Sequence, residues 1–183
     1  MKSIQNQLFF ITLLFFALGF IHISLSLLGI ACFVLPFIQY IKYKDKVWCK
    51  YYCPRAGYFN RLIASLSFGL KAPKVLFSKK VKKGVVVYFA INLLFVTMST
   101  VMVTLGRVAP IEQIRFMIVL ALPFQMPQLL DLQVAPNVLH LSYRIYSMML
   151  TSTIVGSILG VLYHPRTWCG LCPINTLTTK SNT

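Results

Sequence analysis

The chain has 183 residues, of which 57% are hydrophobic and 11% charged, where soluble domains carry about a quarter charged residues. Its mean hydropathy of +0.74 excludes an ordinary water-soluble globule. The 18 Lys and Arg against 3 Asp and Glu come without a basic-aromatic binding module, which argues against nucleic acid and for a lipid bilayer with basic loops beside it.

Between Lys2 and Lys42 run 39 residues without a formal charge. As one helix they would reach about 58 Å, roughly twice the hydrocarbon core of a bilayer. The run therefore predicts two short helices, about 7–21 and 26–41, turning near His22, Ile23 and Ser24. The first 30 residues lack an A-x-A cleavage site, so an uncleaved first span is expected rather than a signal peptide. In the basic loop that follows, Tyr58, Phe59, Leu62, Ile63 and Leu66 recur at helical spacing with Asn60, Arg61 and Ser65 opposite. That pattern predicts a short amphipathic helix at the interface. Residues 84–106 (23 uncharged positions) and 145–165 (21) have spanning length, and Gly156-x-x-x-Gly160 in the latter offers room for a close neighbour. Residues 116–130 are also uncharged but are broken by Pro123 and Pro127, which predicts a re-entrant or interfacial segment instead of a fifth span.

The expected fold is thus an all-α integral membrane protein, one domain over 1–183, with four spans as two hairpin repeats, 1–70 and 84–177. With four spans, residues 42–83 and both termini share one face, which holds 15 of the 18 positive charges. The positive-inside rule makes that face cytoplasmic in the inner membrane.

Two of the hairpins' following segments share a local grammar: Trp48-Cys49-Lys50-Tyr51-Tyr52-Cys53-Pro54 and Trp168-Cys169-Gly170-Leu171-Cys172-Pro173. An internal repeat about an axis along the membrane normal would bring both pairs to one face. The cytosol disfavours structural disulfides, and four thiolates suit an iron–sulfur cluster or a structural zinc. Two redox-active dithiols are the third option. Pro54 and Pro173 are placed for a first helical turn, where no amide donor is needed. The amides of that turn would lower the Cys53 pKa, and Lys50, Arg55, Arg61 and Arg166 would compensate a negative centre. Cys32, among apolar neighbours, reads as a small buried hydrophobe. Trp48 and Trp168 read as interfacial belt residues or as shields of a cluster. His22, His140 and His164 read as ordinary interfacial histidines, and Glu112 and Asp131 as outer-loop acids.

At Cys49-x3-Cys53-Pro54 followed by Gly57, and again at Cys169-x2-Cys172-Pro173 with Thr176 in place of the glycine, the chain resembles the membrane-bound 4Fe-4S-binding, polyferredoxin-like proteins of the NapH and NosR type. It would be a short form of them, without the C-x2-C-x2-C-x3-C ferredoxin modules. The resemblance implies a [4Fe-4S] cluster on Cys49, Cys53, Cys169 and Cys172 as cofactor and metal ligands. It also implies an electron carrier or oxidoreductase subunit exchanging electrons with redox partner proteins and quinone. The alternatives carried from the residues themselves are a quinone-linked thiol–disulfide oxidoreductase and a membrane scaffold or assembly factor with a four-cysteine zinc site.

Overall fold

The computed structural model describes residues 5, 7–45, 47–117, 120–121, 127–130 and 133–178. They are mostly helical. The long elements are α1 (Phe9–Ile21), α2 (Gly29–Tyr43), α4 (Lys79–Thr104) and α5 (Pro136–Leu162), and the short ones are α3 (Pro54–Tyr58), α6 (Thr167–Leu171) and α7 (Pro173–Leu177). The expected all-α character has one exception, a two-residue antiparallel pair in which β1 (Arg115–Phe116) faces β2 (Leu120–Ala121).

Three helical stretches are long and apolar enough to cross a membrane: Ile23–Tyr43, Lys79–Thr104 and Pro136–Leu162. The first of these is α2 lengthened by the 3-10 turn Ile23–Leu28 that leads into it. Helix α1 has only 13 residues, about 20 Å of rise, and falls short of a hydrocarbon core on its own. The break between α1 and α2 lies where the sequence predicts it: His22 is extended, and its Nδ1 accepts the Ser24 amide at 3.3 Å. Many large apolar side chains on these helices are exposed, among them Phe10, Leu14, Ile38, Leu94, Phe95 and Ile158, a surface suited to lipid.

The chain folds into two compact units, each drawing on both halves of the sequence. One comprises residues 13–31 and 90–152, with Ile23, Ile114, Tyr143 and Tyr146 buried at its core and Phe15, Phe16, Leu139 and Leu150 packed around them. A helix leaves its last carbonyls without partners, and in this unit residues 127–130 supply them for α1. Gln128 Nε2 donates to the Gly19 carbonyl, and the amides of Leu129 and Leu130 donate to Phe20 and Ile21. No helix runs through the described part of 116–130; Pro123 lies outside the described residues.

His140, expected at an interface, is fully buried in this unit. Its Nδ1 accepts the Ile111 amide at 3.1 Å, so Nε2 carries the proton toward Ser99 Oγ at 3.0 Å, and Ser99 in turn donates to the Val96 carbonyl. The imidazole is a structural pin between α4, α5 and the loop after α4.

The other unit comprises residues 1–12, 32–89 and 153–183 and contains all five cysteines. The loop 67–70 closes the C-terminal end of α5 in the same way that 127–130 closes α1. The amides of Phe68 and Leu70 donate to the Val161 and Leu162 carbonyls, and Ser67 Oγ donates to that of Tyr163. This fixes the basic loop beside the chain segment that carries the second cysteine pair.

Candidate metal centre

Both cysteine motifs fold as a helical turn, an extended cysteine and a proline that opens the next helix. In the first, Trp48–Tyr52 forms a π-helical turn, Cys53 is extended (φ −65°, ψ 111°), and Pro54 stands in the first turn of α3. In the second, α6 leads to an extended Cys172 (φ −52°, ψ 128°), and Pro173 opens α7. Both prolines are where the sequence expects them.

The helix after Pro54 is amphipathic in a narrower sense than its sequence pattern implies. Phe59 and Ile63 are buried, whereas Leu62 and Leu66 are exposed. The reason lies in α5. Phe59 and Ile63 are one turn apart and meet Gly156 and Gly160, also one turn apart: a Cβ on Gly156 would stand 2.5 Å from Phe59 Cζ, and one on Gly160 2.8 Å from Ile63 Cγ2. Trp168 closes on the same notch, its Cγ 3.0 Å from the Gly156 Cβ position. The indole is therefore packed against α5, and its Nε1 is buried without a hydrogen-bond partner.

Gly57, three residues after Pro54, also has a steric duty. A Cβ there would collide with the main-chain carbonyl of Gln5. The close approach lets Gln5, itself buried, tie the two motifs together. Its Nε2 donates to the Cys49 carbonyl at 2.9 Å, and its Oε1 accepts from Arg166 Nη2. Arg166 Nε donates to Asn60 Oδ1 at 3.0 Å, and Asn175 Nδ2 holds the Cys169 carbonyl at 2.8 Å. Gln5, Asn60 and Asn175 carry no motif signal. Gln5 stands among other polar residues, Ser3, Asn6 and Gln7, and nothing in the sequence sets it apart from them.

All four motif cysteines are of intermediate burial, and none is in a disulfide. Cys53, Cys169 and Cys172 are close enough to act on one another electrostatically. Burial pushes the Cys169 thiol up to about 12, with Cys53 and Cys172 adding to the shift and Arg166 and Arg55 opposing it. Burial likewise raises Cys53, against the Ala56 amide that bonds its sulfur and the charge of Arg55. The expected lowering by the helix-start amide is thus present but outweighed, because a thiolate loses more in leaving water than one amide returns. Cys32 also acts on Cys53, so this residue borders the group. Of the four bases expected to compensate charge, Arg55 and Arg166 act on the thiols, while Lys50 lies over the Tyr51 ring at 5.6 Å and Arg61 over Phe9 at 4.9 Å.

Among the described residues no three His, Cys, Asp or Glu side chains stand close enough to hold a single metal ion. Tetrahedral zinc, with bonds of about 2.3 Å, needs its sulfurs about 3.8 Å apart. The donor set is four partly buried thiols, with Arg55 acting on Cys53 and both Arg55 and Arg166 on Cys169. No family model matches the chain, and no curated protein or solved structure shows significant similarity to it.

Proposed function

We propose that this is a membrane-bound electron-transfer protein in which Cys49, Cys53, Cys169 and Cys172 hold one [4Fe-4S] cluster. The observation that carries the reading is the meeting of the two Trp-Cys…Cys-Pro turns in one unit, bridged by Gln5 and Arg166. A cluster of this kind supplies one-electron exchange without bond-making chemistry. The chain's own part is to hold thiolates, exclude water with Trp168 and Phe59, and place Arg55 and Arg166 where negative charge accumulates. Basic neighbours stabilise the reduced, more negative state and so raise the potential. Electrons would pass between redox partner proteins and quinone, as the family resemblance implies.

The membrane arrangement belongs to the same proposal. Three helices have the length to cross, and α1, with the turns on either side of it, makes a fourth crossing as the short arm of a hairpin with α2. The Gln5 contacts favour this, because they put the start of α1 beside the loop that follows α2. The motifs and both termini then lie on the cytoplasmic side of the inner membrane, with 15 of the 18 positive charges. Neither alternative gains an observation of its own. An attacking thiol works best with a pKa near ambient pH, whereas burial pushes Cys169 up to about 12.

The test is anaerobic purification with iron, sulfide and zinc analysis, together with EPR after reduction. About four iron and four sulfide per chain are expected. Serine at Cys49, Cys53, Cys169 or Cys172 should lower the iron content, and Cys32→Ser should leave it unchanged. Zinc without iron, or iron undiminished in all four motif variants, overturns the reading.

A further inference from the structure

Arg144 lies in α5 and Arg115 in β1, both in the unit of residues 13–31 and 90–152, away from the cysteine motifs. The Arg115 amide donates to Ser147 Oγ at 3.0 Å, and Ser147 follows Arg144 by three positions, on the same face of the helix. That bond sets the two arginines side by side, within electrostatic reach of each other. Arg144 Nε and Nη1 and Arg115 Nε are buried and have no hydrogen-bond partner among the described residues.

Such an arrangement is unfavourable on two counts. Two like charges repel, and each buried N–H left without an acceptor forfeits its hydration. The acid nearest in sequence, Glu112, acts on Tyr143, and among the described residues the buried guanidinium nitrogens reach no acceptor; Asp131 lies outside the described residues. His140 is occupied by Ile111 and Ser99. A cleft of about 290 Å³, lined by residues 110–113 and Arg115, opens beside the site. An anion with several acceptor oxygens would satisfy these donors, the chemistry that guanidinium forks match best.

We propose that Arg115 and Arg144 form a binding site for a phosphate group. The helix places the site at a useful depth. From Arg144 the next charged residue along the chain is Arg166, and α5 runs on from position 145 to Leu162, a rise of about 27 Å that is close to the thickness of a hydrocarbon core. Arg144 therefore stands at headgroup level, where an anionic lipid presents its phosphate.

The test uses the full chain, purified in a neutral detergent and in nanodiscs of phosphatidylcholine with or without phosphatidylglycerol. Thermal midpoints are measured against inorganic phosphate in the first and against lipid composition in the second, and native mass spectrometry counts retained phosphatidylglycerol. A midpoint that rises with phosphate alone identifies a free anion as the ligand, and a rise or retention with phosphatidylglycerol identifies the lipid. In either case Arg115→Gln/Arg144→Gln should weaken the response at least tenfold. Arg144→Lys, which keeps the charge but loses the fork, should weaken it too, and this variant decides if the double variant does not fold. A wild-type protein indifferent to both anions, or variants that respond as wild type does, overturns the proposal.

Discussion

The main-chain N–H of Cys172 donates to the carbonyl of Trp168 at 2.8 Å, four residues back, and that of Cys53 donates to Trp48 at 2.9 Å, five residues back. The same closure, tryptophan carbonyl to second cysteine, is made once as an α-turn and once as a π-turn. The additional residue of Cys-x3-Cys is absorbed in the wider turn, and each cysteine emerges extended in front of a helix-opening proline. Two motifs of unequal length thus present their cysteines alike. Single π-turns recur at functional sites, and here the turn reconciles two copies of one device.

If that equivalence holds, Lys50 is the residue to remove. Its ammonium lies over the Tyr51 ring in the same turn, and its deletion leaves Trp-Cys-x2-Cys-Pro, the spacing of the second motif. The shortened chain should close as an α-turn and keep its iron content. Deleting Leu171, a buried residue of the second motif, should abolish iron binding. Iron analysis and denaturant titration of both variants decide this.

The sequence pattern carried more of this architecture than of the site's interior. Long apolar runs, the break at His22 and the two prolines follow from local rules of hydrophobic length and helix starts, and the structure has them. The sequence also offered Gly156 and Gly160 as a place of close approach, but not what approaches. Phe59 and Ile63 were indistinguishable from Leu62 and Leu66 until the partner face was known. Gln5, Asn60 and Asn175 were silent because their role is to hold main-chain carbonyls and a guanidinium distant in sequence. The Cys53 thiol was misjudged because burial is a tertiary quantity, whereas the helix-start amide that lowers its pKa is a local one.

The glycine notch gives a paired test. Gly156→Ala puts a methyl group 2.5 Å from Phe59 Cζ, and overpacking of this kind costs about 1–3 kcal/mol. Gly84, in α4, has nothing within 4 Å of its Cβ position, so Gly84→Ala should stabilise by up to about 1 kcal/mol through helix propensity. Thermal unfolding in detergent should lower the midpoint for the first and hold or raise it for the second. Equal behaviour would mean that Phe59 does not occupy the notch.

His140 yields a separate expectation. Alanine there leaves the Ile111 N–H without its acceptor and takes from Ser99 the proton it accepts, leaving it only its bond to Val96, at a cost of about 1–3 kcal/mol. Asparagine can return an acceptor oxygen close to the position of Nδ1, and so should recover part of that loss. Hydrogen exchange at the Ile111 amide is the specific readout: fast in His140→Ala, slower in His140→Asn, slowest in the wild type.

The raised thiols make the metal-free protein sensitive to alkali. A thiol that ionises later in the folded chain than in the unfolded one keeps its proton while the unfolded chain loses it. The folded state then binds more protons, and stability falls as pH rises. For Cys169 the window opens near the ordinary thiol value of about 8.5 and closes at about 12; Cys53 acts in the same direction. Stability of the metal-free protein should be flat below pH 8 and decline above it, and Cys169→Ser should flatten the decline. Only thiolates alkylate readily, so Cys169 should react with iodoacetamide at pH 8 more than about a hundredfold slower than a free thiol. Rapid alkylation at this position would show that water reaches the sulfur and would remove the physical basis of its high pKa. The same protons must leave before any metal is bound, so reconstitution with iron and sulfide should be markedly slower at pH 7 than at pH 9, and Arg166→Gln, which takes away a charge that favours the thiolate, should slow it at both.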